Sequence, residues 1–211
     1  MAQYFSMHPL NPQPRLVRQA AQILRAGGVV AYPTDSCYAL GCHIGDKAAM
    51  ERIRTIRGID ARHHFALVCR DLAEVAVYAR IDDRQYRVLR AGAEGAFAFI
   101  LLATREVPRR LLHERRKTIG VRMPAHPVVR ALLTELGEPL LSSSLILPGA
   151  AEPLTDPEEI RAQLEHSVDL VIEAGPCGVQ PSTVVDLTGE APVITRQGKG
   201  PSEQLGVAIG A

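Results

Sequence analysis

The chain has no tryptophan, and aromatic residues make up only 4% of it. Proteins that grip single-stranded nucleic acid by stacking bases on side chains use more rings than that. The net charge is +1, so any nucleic-acid affinity has to come from a local basic face. Cys37, Cys42, Cys69 and Cys177 form no Cys-x-x-Cys pair, and no histidine stands in a zinc-finger register. They read as reduced thiols. With no charged-then-apolar leader at the start, the expectation is a cytoplasmic protein. No run approaches the roughly 18 apolar residues that suggest a membrane span, so no membrane partner is expected. Walker loop, dinucleotide fingerprint, Gly-x-Ser-x-Gly elbow and zinc signature are all missing, which removes the common catalytic motifs. The seven histidines are scattered, and each reads as a surface or core residue rather than a ligand.

What is present is a globular composition, 46% apolar and 22% charged over 211 residues. That length suits one domain with a real core. Helical periodicity and caps place helices at residues 14–26, 47–57, 82–92, 126–137 and 156–166, with another starting at Asp71. Apolar runs place strands at 29–32, 64–69, 97–103, 118–123, within 140–147, and at 168–173, 183–187 and 192–196. Helices interleave with strands, which gives an α/β class with a mixed sheet. We find no linker that divides the chain. The expectation is a single domain over 1–211, with its core at about 14–200 and a loose Gly-rich tail over 201–211.

The strand ends carry the chemistry. Residues 31–41, AYPTDSCYALG, leave an apolar run at Pro33 and open into Thr34, Asp35 and Ser36 before turning apolar again. A turn held by a buried strand is where binding side chains concentrate, and these three also bond their own backbone. Arg122 closes a short strand just before Pro124, where a guanidinium suits a two-pronged grip on carboxylate or phosphate. Ser142, Ser143 and Ser144 open another strand end; Ser182 and Thr183 begin a strand, and Arg196 ends the next. Taken singly, Arg122 is also a solvated strand end, the serines a turn and Ser182 a cap. Together they offer anion-binding groups without an acid/base pair, the composition of a site that positions phosphates and carboxylates.

In this order the segments resemble the YrdC/YciO family, whose synthase members make threonylcarbamoyl-adenylate for a tRNA adenosine modification. YPTDSCYALG, AMERIRTIRG, TIGVRMPAHP, PLLSSSLILPG, PSTVVDLTG and PVITRQG match six ordered family elements across about residues 16–198, with wording most like the YciO branch. The resemblance implies a strongly twisted mixed sheet, helices mostly on one side and a concave basic face on the other, lined by Thr34, Arg57, Arg122, Ser144, Ser182 and Arg196. It implies L-threonine or its carbamoyl derivative at Thr34, Arg122, Ser144 and Ser182, with Arg122 on the carboxylate. ATP or the adenylate would lie towards Arg57, Thr118 and Arg196, with bicarbonate as co-substrate. Arg57 and Ser144 carry over as the catalytic pair, and Mg²⁺ would arrive with the nucleotide rather than in a protein cage.

Two departures stand out. The family's Lys-x-Arg falls on Arg57-Gly58-Ile59, and its Ser-x-Asn on Ser144-Leu145-Ile146. Isoleucine neither donates a hydrogen bond nor offsets phosphate charge, so the resemblance implies weakened adenylate synthesis, with Arg54 and Arg62 the nearby cations available to compensate. The other function considered is a double-stranded or ribosomal RNA-binding module with a vestigial nucleotide pocket. Its support is a basic segment holding Arg109, Arg110, Arg115, Arg116 and Lys117, interrupted by Glu106 and Glu114. Double-helical RNA is read by shape and phosphates, so few aromatics are no obstacle, and tRNA is a partner of the same kind. A solvated surface explains that segment equally well.

Overall fold

The computed structural model describes residues 1–60, 63–93, 95–113 and 115–206. Among them the strands are β1 (Gln3–Ser6), β2 (Val30–Tyr32), β3 (Ala39–His43), β4 (Ala66–Val68), β5 (Phe97–Leu102), β6 (Thr118–Arg122), β7 (Leu140–Ser144), β8 (Leu170–Glu173), β9 (Thr183–Asp186) and β10 (Val193–Arg196). The helices are α1 (Pro14–Arg25), α2 (Lys47–Arg57), α3 (Leu72–Tyr78), α4 (Asp83–Ala91), α5 (Pro127–Leu136) and α6 (Pro157–Leu164). All ten strands join one mixed sheet in the order β1-β8-β2-β3-β7-β4-β6-β5-β9-β10.

Local chemistry sets the helix ends where the sequence places them. Asp46 accepts the Ala49 N–H at 2.8 Å and starts α2. Gly58, at φ 60°, ends that helix in the left-handed conformation that costs glycine least. Asp82 and Gln85 form a reciprocal capping box on α4, and Asp156 with Pro157 opens α6. Two strands are additions to the sequence reading. β1 is short and half exposed, and exists because β8 pairs with it in parallel, Gln3 opposite Leu170. β3 is buried along nearly its whole length, so it shows no period-2 alternation to read.

Two apolar clusters sit on opposite faces of the sheet. On one, α2, α3, α4 and α6 bury Met50, Ile53, Val75, Leu89 and Ile160 against Leu40, Leu67, Phe99, Val121 and Leu141. On the other, α1 and α5 bury Leu24, Leu132 and Leu133 against Val30, Tyr32, Leu140 and Ile172. Most helices therefore share one side, as expected, but α1 and α5 cross to the second face. They cover its β1–β8–β2–β3 half and leave the β4–β6–β5–β9 half without a helix.

The loose tail expected from residue 201 is corrected as far as residue 205. Residues Ser202–Leu205 form a 3-10 turn, and Leu205 is 2% exposed inside the larger cluster. Its anchors are an apolar seat beside Gly92, a Gln204 bond to the Ala91 carbonyl at 3.2 Å, and the Thr183 hydroxyl donating to the Gly200 carbonyl at 2.6 Å. Residues 207–211 lie outside the described residues. Leu205→Ala is expected to lower unfolding free energy by about 2–5 kcal/mol in urea titration, the range for truncating a buried leucine. A tail that was not packed would give no measurable change.

Candidate functional site

The uncovered half of the sheet holds a cavity of about 240 Å³. Its floor is made of small residues on three neighbouring strands, Ala66, Gly120 and Ala98. Gly120 lies between Ile119 and Val121, which face the opposite core, so its own position faces the cavity.

One wall begins at the turn after β2. Thr34 accepts the N–H groups of Ser36 and Cys37 and donates to the Cys37 carbonyl at 2.6 Å, which closes the turn. Arg122, at the end of β6, donates to Asp35 Oδ1 at 2.5 Å and to Thr34 Oγ1 at 3.3 Å. The pair is deep, with the Arg122 side chain 10% exposed and that of Asp35 15%. Arg122 Nε and Asp35 Oδ2 are buried without a partner among the described residues. Arg122 also lines the cavity, so part of the guanidinium plane is open to it while Nε is sealed in the wall.

A second wall forms where α2 ends. Arg57 Nε donates to the Ile146 carbonyl at 3.3 Å, and Arg57 Nη1 donates to Ser143 Oγ at 2.5 Å. His63 Nε2 lies 3.1 Å from the same Arg57 nitrogen and 3.2 Å from Ser143 Oγ. Burial and the neighbouring Arg57 cation push the His63 pKa down to about 4. The imidazole is therefore neutral at neutral pH and accepts from Arg57.

The third wall comes from β9, β10 and the segment before β6. Arg196 clamps the Ser182 carbonyl with Nε at 3.3 Å and Nη2 at 2.8 Å. Ser182 donates on to Ser36 at 3.4 Å, which ties this wall to the first. Thr118 lines the cavity beside His64 and His113, whose rings stack 4.8 Å apart. Burial lowers the pKa of both Arg57 and Arg196, and each is lowered further by another guanidinium: Arg57 by Arg196, and Arg196 by Arg122. Of these three cations only Arg122 has a carboxylate partner among the described residues. The surplus of positive charge calls for an anionic ligand.

Arg57, Thr118, Arg122, Ser144, Ser182 and Arg196 thus all line the one cavity. Thr34 does not, which corrects the expectation for it: its hydroxyl is consumed by its own turn, and it stands behind Arg122. Ile146 is in the wall, whereas Ile59 packs against the core. Arg54 pairs with Glu51 at 2.6 Å and lies over the Phe65 ring, and Arg62 is outside the described residues. In the basic segment, Arg110 is bound to the Ile44 and Gly45 carbonyls and Arg116 to Asp186. Glu114 of that segment lies outside the described residues.

Reading the sequence missed His63, His64 and His113 as site residues, and gave Ser143 no role of its own within the serine run. The adjacent His63-His64 pair, directly before a strand and six residues after Arg57, was the available signal.

The ten-stranded mixed sheet, with Arg122 and Arg196 at strand ends and Arg57 at the end of α2 brought to one open face, defines the class of fold. The chain belongs to the Sua5/YciO/YrdC family, whose model, described as "Telomere recombination", matches residues 22–198. It is 54% identical over 200 residues to the Escherichia coli K12 protein named "Uncharacterized protein YciO", covering 95% of this chain and 97% of that one. The crystal structure of E. coli YciO matches with a TM-score of 0.93 at 52% identity, covering 97% of this chain and all 100% of that one. A threonylcarbamoyl-AMP synthase from Nitrosococcus oceani is 34% identical over 157 residues, 74% of this chain and 84% of the synthase. The crystal structure of P. abyssi Sua5 complexed with L-threonine matches with a TM-score of 0.86 at 26% identity, covering 96% of this chain and 59% of that one.

A Cβ built at Gly120 meets Ala66 at 3.6 Å, ordinary van der Waals contact. Gly120→Val is therefore expected to leave unfolding free energy within about 1 kcal/mol of wild type, since removing a strand glycine also reduces unfolded-state entropy. The added side chain should nevertheless fill the cavity floor. Thermal unfolding with and without candidate ligands checks both halves: the variant should melt like wild type and lose any ligand-induced rise in Tm.

Proposed function

We propose that the cavity binds L-threonine together with an adenine nucleotide, or the threonylcarbamoyl adenylate derived from them, and that adenylate synthesis is weak in this chain. The observation that carries this reading is Arg122: a guanidinium locked onto Asp35 that lines the cavity. A carboxylate is the ligand group that best fits such a fork. Kinship with threonylcarbamoyl-AMP synthases, and a related protein solved with L-threonine, support threonine as the carboxylate's owner.

In the reaction proposed, the threonine amine captures bicarbonate as a carbamate with loss of water. A carbamate oxygen then attacks the α-phosphorus of ATP, and pyrophosphate leaves. Arg122 holds the carboxylate, with Ser144 and Ser182 flanking the threonine. Arg57, Thr118 and Arg196 face the nucleotide, where Arg57 offsets charge developing on the phosphate and Ser144 helps orient the attacking carbamate. Among the described residues no cluster of three His, Cys, Asp or Glu side chains is arranged for a metal. Magnesium would therefore ride on phosphate oxygens.

The weakness follows from the second wall. Ile146 puts a hydrocarbon where a donor is needed, and Ile59 turns away onto the core. The loss of one such donor typically costs about a hundredfold or more in rate.

Calorimetry with L-threonine is expected to show binding to wild type that falls about 10–100-fold in Arg122→Gln, the scale of a hydrogen bond to a charged group. Undiminished binding in the variant removes the proposed carboxylate site. Pyrophosphate release with threonine, bicarbonate and ATP should be slower than in a synthase of the family, and should rise in the Ile59→Arg/Ile146→Asn double variant. Synthase-level turnover by the wild type overturns the predicted weakness.

A further inference from the structure

The triangle of Arg57, His63 and Ser143 contains more hydrogen-bonding capacity than its mutual contacts use. Arg57 supplies charge at any pH. His63 is different, because its acceptor nitrogen faces a guanidinium N–H at 3.1 Å and a hydroxyl at 3.2 Å. In the neutral ring that nitrogen is a lone pair, and both Arg57 and Ser143 can donate to it. If the nitrogen gains a proton it becomes a donor, and its contact with Arg57 becomes donor against donor. The contact with Ser143 survives by reversing, since a hydroxyl oxygen has two lone pairs and can accept from Arg57 and His63 together. The Ser143 hydroxyl hydrogen is then released to point at a ligand.

We infer that His63 is a conditional cation of this site: a phosphate group occupying the space against Arg57 raises its affinity for a proton, and protonation turns the Ser143 hydroxyl towards that phosphate. The inference deepens the nucleotide end of the proposed function and rests on it for the identity of the phosphate. His63 acts as a positioning and charge-matching residue, not as a nucleophile or base.

The surroundings agree with this. Arg54 and Arg57 from α2 and His64 next in the chain all disfavour a charged His63, while Asp60 favours it weakly. Ser143 faces it from β7, and the Phe65 ring meets it edge-on with centroids 5.9 Å apart. No carboxylate among the described residues pairs with His63. An anion placed against the triangle opposes the cationic neighbours and the burial that keep the ring neutral. An opposite charge within about 4–6 Å favours the charged form of a side chain by roughly 1–3 pH units. A midpoint raised by about 1–2 units from about 4 places the gain of charge below about pH 6, and only while an anion is present. In that range the device adds a second cation beside Arg57, where Ile59 supplies none.

Sulfate is a suitable probe because it stays a dianion across the range in which histidine titrates. Nitrogen-detected NMR of imidazole-labelled protein follows His63 from pH 4 to 8, assigned by its disappearance in His63→Gln. Without sulfate the ring should titrate near pH 4; with saturating sulfate its midpoint should rise by about 1–2 units. Sulfate affinity should increase as pH falls through the bound-state midpoint, and His63→Gln should keep the Arg57-dependent binding while losing that slope. An unmoved His63 midpoint, or a slope that persists in His63→Gln, overturns the inference. So does failure of sulfate to bind at any pH, because the anion subsite is then absent. Threonine calorimetry on the same samples reports on the Arg122 end, so failure there with a shifting His63 counts against the threonine reading alone.

Discussion

The ion pair between Arg122 and Asp35 is the contact on which the site depends. It joins the end of β6 to the turn after β2, two segments that neighbour each other nowhere else in the sheet order. Burying such a pair is expensive, and removing one partner alone leaves a stranded charge, which typically costs about 3–5 kcal/mol. A chain that keeps it here gains a fixed guanidinium rather than much stability. Thr34 and Ser36 exist in this geometry to hold the turn, and through Ser36 the turn reaches Ser182 and the Arg196 clamp. Two of the three walls are thereby referenced to one contact.

The helices were legible in the sequence because their signals are local. Asp46, Asp82 and Asp156 cap, Gly58 and Gly137 stop, and the apolar spacing lies within one element. The unannounced strands are those whose existence is settled by distant partners: β1 by β8, and β3 by β2 and β7. The second helical face was hidden for a similar reason. Amphipathicity tells which side of α1 and α5 is buried, not which side of the sheet receives it.

For the site, arginines and hydroxyls at strand ends could be picked out from chemistry and spacing, and they converge. Thr34 could not be sorted from Ser144 in that way, because both are hydroxyls beside apolar runs. Only the three-dimensional turn shows that one is consumed by backbone and the other lines the cavity. The histidines were passed over because no ligand spacing links 63, 64 and 113. The fold brings them together at the rim through β4 and the segment before β6, and His63 matters through what it accepts rather than what it coordinates.

The ordering of the sheet also fixes when the cavity can exist. Its floor and two walls come from residues before position 147, yet Ser182 and Arg196 close it from strands near the end of the chain. β9 enters the sheet by pairing with β5, some eighty-six positions earlier, as Phe97 meets Thr183. Pairings of such separation are slow to form, since loop closure precedes their reward. During ribosomal synthesis the floor and the walls that carry Arg57 and Arg122 are therefore made well before the last wall emerges. Ligand that stabilises the finished cavity can act only on completed chains, and a nascent chain shows the surrounding solution an open shelf of arginines until its final strands arrive.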